Sequence, residues 1–128
     1  MKIDRIDHVV LTVNDVQQTC QFYERTLGFE IVTFKEGRIA LHFGKQKLNL
    51  HQRGNEFEPK ANAPTPGAID LCFIAETSIE DVRRELEGKG VPVELGPVTQ
   101  VGALGKMRSV YLRDPDRNLI EIANYVPE

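Results

Sequence analysis

The sequence predicts an α+β protein built from two copies of a βαβββ unit. Three observations carry that expectation. Short runs of β-branched and apolar residues alternate with polar ones, which is the period of a half-buried strand. Two stretches shift to helical spacing, and each directly follows one of those runs. The order of elements then repeats in the second half of the 128 residues.

The first copy opens on residues 6–13, IDHVVLTV, a strand by alternation and β-branching. NDVQQTCQFYERTLG follows as a helix. Asn14 or Asp15 can cap it, Val16, Cys20, Tyr23 and Leu27 keep helical spacing, and Gly28 can end it in a left-handed conformation. FEIVTFKEG, RIALHFG and QKLNLHQRG read as three strands broken by glycine-containing turns. The second copy begins with AIDLCFIA (68–75). Its helix lies in TSIEDVRRELEGKG, where Thr77 and Glu80 have capping-box spacing and Ile79, Val82 and Leu86 share a face. VPVELG, SVYLRD and NLIEIANY supply its three strands. Between the copies, QRGNEFEPKANAPTPG has three prolines and no apolar period, so it reads as a linker. The expected layout is one domain over 1–128, with module one at about 1–53, a linker at about 54–67 and module two at about 68–128.

Bulk properties exclude several classes of partner. A net charge of −3 and a pI near 5.6 lack the basic surface that nucleic acid or an anionic membrane requires. No apolar run is long enough to span a bilayer. The N-terminus lacks a basic segment followed by an apolar core, so no secretory signal is expected. Cys20 and Cys72 stand alone without CxxC spacing, which fits a reducing cytoplasm rather than a disulfide framework.

Candidate chemistry comes from aligning the two copies. His8 and Asp70 head the first strand of each half, and His51 and Glu121 stand near the end of each last strand. All four are nitrogen or oxygen donors to metals. Strand parity puts His8 with Val10 and Thr12, His51 with Asn49, Asp70 with Cys72 and Ile74, and Glu121 opposite Ile120 and Ile122. The four donors therefore share the face away from the continuous apolar stripe, and that face can line a cavity. Singly, each is ordinarily a rim or solvated residue; as a repeated set they are candidate ligands. His42 has no repeat mate and is expected to be exposed. Cys72 lies on the donor face, with a buried apolar role preferred over a reactive thiol. The stretch 95–109, LGPVTQVGALGKMRS, is read as a hairpin connection. The alternative is a lid whose Lys106 and Arg108 meet an anionic substrate.

IDHVVLTVNDVQQTCQFYERTLGFEIV, the segment Phe22–Phe29 and YLRDPDRNLIEI resemble the vicinal oxygen chelate superfamily, which includes glyoxalase I, extradiol dioxygenases and bleomycin resistance proteins. FGKQKLNLH, EFEPKANAPTPGAIDLC and DPDRNLIEIANY are similar to its glyoxalase domain-containing protein 5 group. The resemblance covers almost the whole chain. It implies paired βαβββ modules forming a curled mixed sheet around a central cavity, commonly in a homodimer. It implies a divalent ion (Zn²⁺, Ni²⁺, Mn²⁺, Co²⁺ or Fe²⁺) held by His8, His51, Asp70 and Glu121. It further implies Glu121 as the base of a glyoxalase-like lyase or isomerase acting on a small substrate with adjacent oxygens, such as a glutathione hemithioacetal. An Fe²⁺ ring-cleaving dioxygenase and a metal-free antibiotic-type binding protein are the alternatives. The sequence departs from the family at three places: Asp70 stands where catalytic members usually have histidine, His51 where glyoxalase I has a carboxylate, and Arg117 where the D-P-D-G-N turn has glycine.

Overall fold

The computed structural model describes residues 1–127. The chain divides into two compact units, Met1–Ala68 and Ile69–Glu128. The first runs β1 (His8–Val13), α1 (Val16–Leu27), β2 (Glu30–Phe34), β3 (Arg38–Phe43) and β4 (Gln46–Gln52). The second runs β5 (Asp70–Ile74), α2 (Ile79–Gly88), β6 (Leu95–Gly102), β7 (Gly105–Arg113) and β8 (Leu119–Tyr125). Each unit has a four-stranded mixed sheet, ordered β1-β4-β3-β2 in one and β5-β8-β7-β6 in the other. In both, the first strand lies parallel to the last and the remaining pairs are antiparallel. The two sheets are α+β repeats of one plan, as the sequence predicts.

The alternation decides which face each helix covers. In the first unit Leu11, Val13, Leu41, Leu48 and Leu50 are buried, and α1 packs on β2, β3 and β4. Tyr23 of α1 stacks on Phe29, which stacks on Phe43 of β3, so the apolar stripe and the helix meet through a ladder of rings. In the second unit Ile79, Val82 and Leu86 of α2 are buried, as are Val110, Leu112, Ile120 and Ile122 of its sheet. Each such side chain contributes about 1.5–3 kcal/mol by leaving water.

Capping follows the sequence in one helix and shifts in the other. Asp15 accepts a hydrogen bond from the Gln18 amide at 3.1 Å and Gly28 closes α1 at φ 72°. In α2 the cap is Ser78, one residue beyond Thr77. Ser78 Oγ accepts from the Asp81 amide, and Asn124 of β8 accepts from the Ile79 amide at 2.7 Å. Glu80 is thereby free of a capping-box role, and it pairs with Arg108 of β7 instead.

The second departure concerns β6. The expected strand VPVELG gives way to one that starts only at Leu95 and extends to Gly102. Gly96 and Pro97 interrupt its alternation, and the ladder is irregular between Leu95 and Val98. A Cβ at Gly96 would sit 2.3 Å from the Ser109 carbonyl oxygen, so the close approach demands glycine. The segment 95–109 is thus mostly two paired strands joined at Ala103 and Leu104. Arg108, salt-bridged to Glu80, is engaged by α2.

Candidate functional site

The face opposite each helix carries the polar side chains that the repeat singled out. In the first unit β1 lies against β4 with His8 opposite Lys47, Val10 opposite Asn49 and Thr12 opposite His51. His8 and His51 share the face but stand four residues apart in register. That is about 13 Å along the strands, too far for both imidazoles to converge on one ion from this sheet. In the second unit Asp70 lies opposite Leu119 and Cys72 opposite Glu121. Asp70 and Glu121 are two residues apart in register, about 7 Å along the strands.

These registers revise the equivalence drawn from the sequence. If His8 and Asp70 correspond, then Asn49 corresponds to Glu121, and His51 corresponds to Ala123. Aligning the two copies by sequence sets His51 against Glu121, two residues out of step with the ladder. Asn49 is the position it missed. The parallel pairing of first and last strands was the missing information, because it fixes which residues lie side by side.

Two buried oxygens mark the corresponding positions. Asn49 Oδ1 and Glu121 Oε2 are both buried and both lack a hydrogen-bond partner. Such groups cost about 1–3 kcal/mol each when left unmade. Around Glu121 stand the Cys72 thiol and the Tyr111 phenol, its neighbours on β5 and β7. Burial, then the charge of Glu121 and a hydrogen bond to it, push the Cys72 thiol up to about 11. The same causes in the same order raise Tyr111, with Gln100 opposing by hydrogen bonding. Neither neighbour satisfies Oε2. Cys72 keeps accessible surface, so it is not the buried hydrophobe expected, yet enough protein surrounds its sulfur for desolvation to dominate.

His8 is exposed and oriented. Its Nδ1 lies 2.8 Å from Asp7 Oδ2, a contact that holds the Asp7 carboxyl below its usual range and leaves Nε2 for another partner. His51 is buried, with its ring edge-on to Phe57 at 5.7 Å. Burial first, then the Arg38 guanidinium, lowers its pKa, opposed by Glu56 and Glu58. His42 is half-buried rather than exposed, between Glu30 and Lys47 on neighbouring strands. Among the described residues, no three His, Cys, Asp or Glu side chains form a ready metal-holding group. The donors come in pairs: His8 with Asn49 on one sheet, and Asp70 with Glu121 on the other. Their chemistry, hard oxygens with an oriented imidazole and two orphaned buried oxygens, fits a divalent cation.

The turn ahead of β8 fixes the second pair. Asp114 Oδ1 accepts from the amides of Asp116 and Asn118, and Asp114 Oδ2 from the Asn118 side chain at 2.8 Å. Asn118 Oδ1 in turn accepts from the Ile69 amide at 2.9 Å, tying the turn to the residue before Asp70. This network holds Arg117 at φ 68°, the left-handed conformation that its place in the turn requires.

A repeated βαβββ plan, with polar residues on the face of each sheet away from its helix, is the architecture that the comparisons with known proteins match. Residues 5–122 match the Glyoxalase/Bleomycin resistance protein/Dioxygenase superfamily, and the chain belongs to that family. It is 59% identical to the virulence protein STM3117 of Salmonella typhimurium, over 98% of this chain and 88% of that protein. The crystal structure of that protein superposes with a TM-score of 0.97, covering 98% of this chain and all of the other. The glyoxalase domain-containing protein RDO1 of Mycosarcoma maydis is 50% identical over 98% of this chain and 70% of its own length. A lactoylglutathione lyase from Agrobacterium tumefaciens shares the fold, with a TM-score of 0.74 at 24% identity over 96% of this chain and 95% of the other.

Proposed function

We propose that the protein is a metal-dependent lyase or isomerase of the glyoxalase kind, acting on a small substrate with two adjacent oxygens. The observation that carries this reading is the buried, unpartnered Glu121 Oε2, matched in register by the unpartnered Asn49 Oδ1. His8 and Asn49 on the first unit, and Asp70 and Glu121 on the second, are the donor pairs that would hold the ion. His51 is then left for substrate, because its register separates it from His8. The ion, of the Zn²⁺, Ni²⁺, Mn²⁺, Co²⁺ or Fe²⁺ type, would supply Lewis-acid polarisation of the substrate oxygens.

The chain's own residues do the proton work. Glu121, whose Oε2 has no hydrogen-bond partner, takes a proton from the carbon beside the polarised carbonyl and returns it to the neighbouring carbon. Tyr111 and Cys72 remain protonated beside it, since both pKa values are raised, and so do not compete as bases. Asp7 fixes the ring of His8. Cys20 and Cys72, both free, suit the reducing cytoplasm in which we place the protein.

The test is Glu121→Gln, assayed for bound metal and for turnover of the methylglyoxal–glutathione hemithioacetal. Loss of about 10²–10⁴-fold in turnover with metal retained supports the assignment of the base. An unaltered protein that turns nothing over with any of these ions sinks the glyoxalase reading.

A further inference from the structure

The helix-free face of the first unit carries a second group of polar side chains, two residues further along the strands than Asn49. His51 lies opposite Thr12 on one side. On its other side it stands opposite Arg38, one step beyond the Ile39–Leu50 pair, and Arg38 is in turn opposite Phe34. The Arg38 guanidinium carbon lies 4.3 Å from the centroid of Phe57, whose ring also meets the edge of His51. Phe57 therefore clamps both side chains.

Arg38 is also left wanting. Its Nε is buried and has no acceptor, and no ion pair to Arg38 is found among the described residues. The nearby acids are already engaged. Glu56 accepts from the Gly54 amide at 2.9 Å and lies 3.6 Å from Lys60, and Glu58 lies 3.4 Å from the same lysine. A guanidinium seated over an aromatic ring, with a buried N–H that has no acceptor, is preorganised to take a planar oxyanion through two parallel hydrogen bonds. An arginine kept only for packing on Phe57 has no need to bury that N–H unpaired, because doing so carries the cost of an unmade charged hydrogen bond.

We propose that Arg38 and His51, held against Phe57, form a carboxylate-binding pocket, and that the substrate is a short carboxylic acid. This rests on the reading above for the other end of the substrate. Arg38 lies about 7 Å along the sheet from Asn49, so a molecule whose adjacent oxygens reach Asn49 would carry its carboxylate a few atoms away.

The experiment uses the metal-free full chain, so it does not depend on turnover or on the ion. The Arg38 Nε–H resonance is followed by NMR during titration with succinate and with its neutral analogue succinamide. Succinate is expected to shift that resonance saturably, and succinamide to leave it in place. Arg38→Gln should weaken succinate binding by at least about tenfold, and Arg38→Lys should weaken it too, because the ammonium lacks the planar fork. Equal responses to succinate and succinamide, or unchanged succinate binding in Arg38→Gln, would overturn the proposal.

Discussion

Asn49 and Glu121 occupy the same place in their two sheets, each beside the third residue of the first strand, and each ends in a buried oxygen with no hydrogen-bond partner. Unmade hydrogen bonds of this kind are rare in folded proteins. Their recurrence at corresponding positions links the repeat in the chain to the chemistry proposed for it.

The first prediction concerns Cys72. With its pKa near 11, the thiol is about one part in a thousand ionised at pH 8, so iodoacetamide should alkylate it about a hundredfold more slowly than an ordinary thiol. Replacing Glu121 by Gln removes the charge that helps raise this pKa and should speed alkylation severalfold. The rates are read by mass spectrometry in a Cys20→Ser background. Rapid alkylation at pH 7 would contradict the account.

A second prediction follows from His51, whose folded pKa lies below that of the unfolded chain because burial and Arg38 disfavour the imidazolium. The unfolded state therefore binds the proton more readily. The contribution of His51 is fully present above the unfolded value of about 6.5 and is lost as pH falls through the folded value. Urea unfolding from pH 7.5 to 5 should show stability falling with acid, and His51→Gln should flatten the fall. A variant with the same slope as the parent would exclude this origin.

Arg117 offers a stabilising change. At φ 68° its side chain pays the left-handed penalty that glycine avoids. Arg117→Gly is expected to gain about 0.5–1 kcal/mol, less the added entropy of the unfolded chain. Calorimetry should find a melting temperature higher by ~2–4 °C. A lower one would mean that the Arg117 side chain contributes more than its backbone costs.

Asn118 is the opposite case. It is buried and joins Asp114 to the Ile69 amide. Asn118→Ala leaves the Ile69 amide without its acceptor and takes one donor from Asp114 Oδ2, and is expected to cost about 2–4 kcal/mol by denaturant unfolding. An effect below about 1 kcal/mol would show that water replaces the side chain without loss.

Much of this fold was legible in the chain because local rules and tertiary packing agree. The alternation of Leu11 and Val13 with Thr12 and the Gly28 cap leave one reading each, and of the two candidate N-caps, Asn14 and Asp15, the structure uses Asp15. Sequence reasoning went astray where a neighbouring strand overrode a local signal. Thr77 and Glu80 have the spacing of a capping box, but Asn124 on β8 and Arg108 on β7 draw the helix start to Ser78. At the candidate site, parity along each strand was legible and register between strands was not. Only the ladder reveals that Asn49, not His51, is the mate of Glu121.

The most direct test of the central claim is the metal content of the untagged protein after reconstitution with each of the divalent ions and removal of the excess, measured by elemental mass spectrometry. We predict close to one ion per chain for at least one of them, and a fall of tenfold or more in affinity for that ion in Glu121→Ala. A ratio far below one with every ion, or equal affinity in the Glu121→Ala variant, would contradict the account.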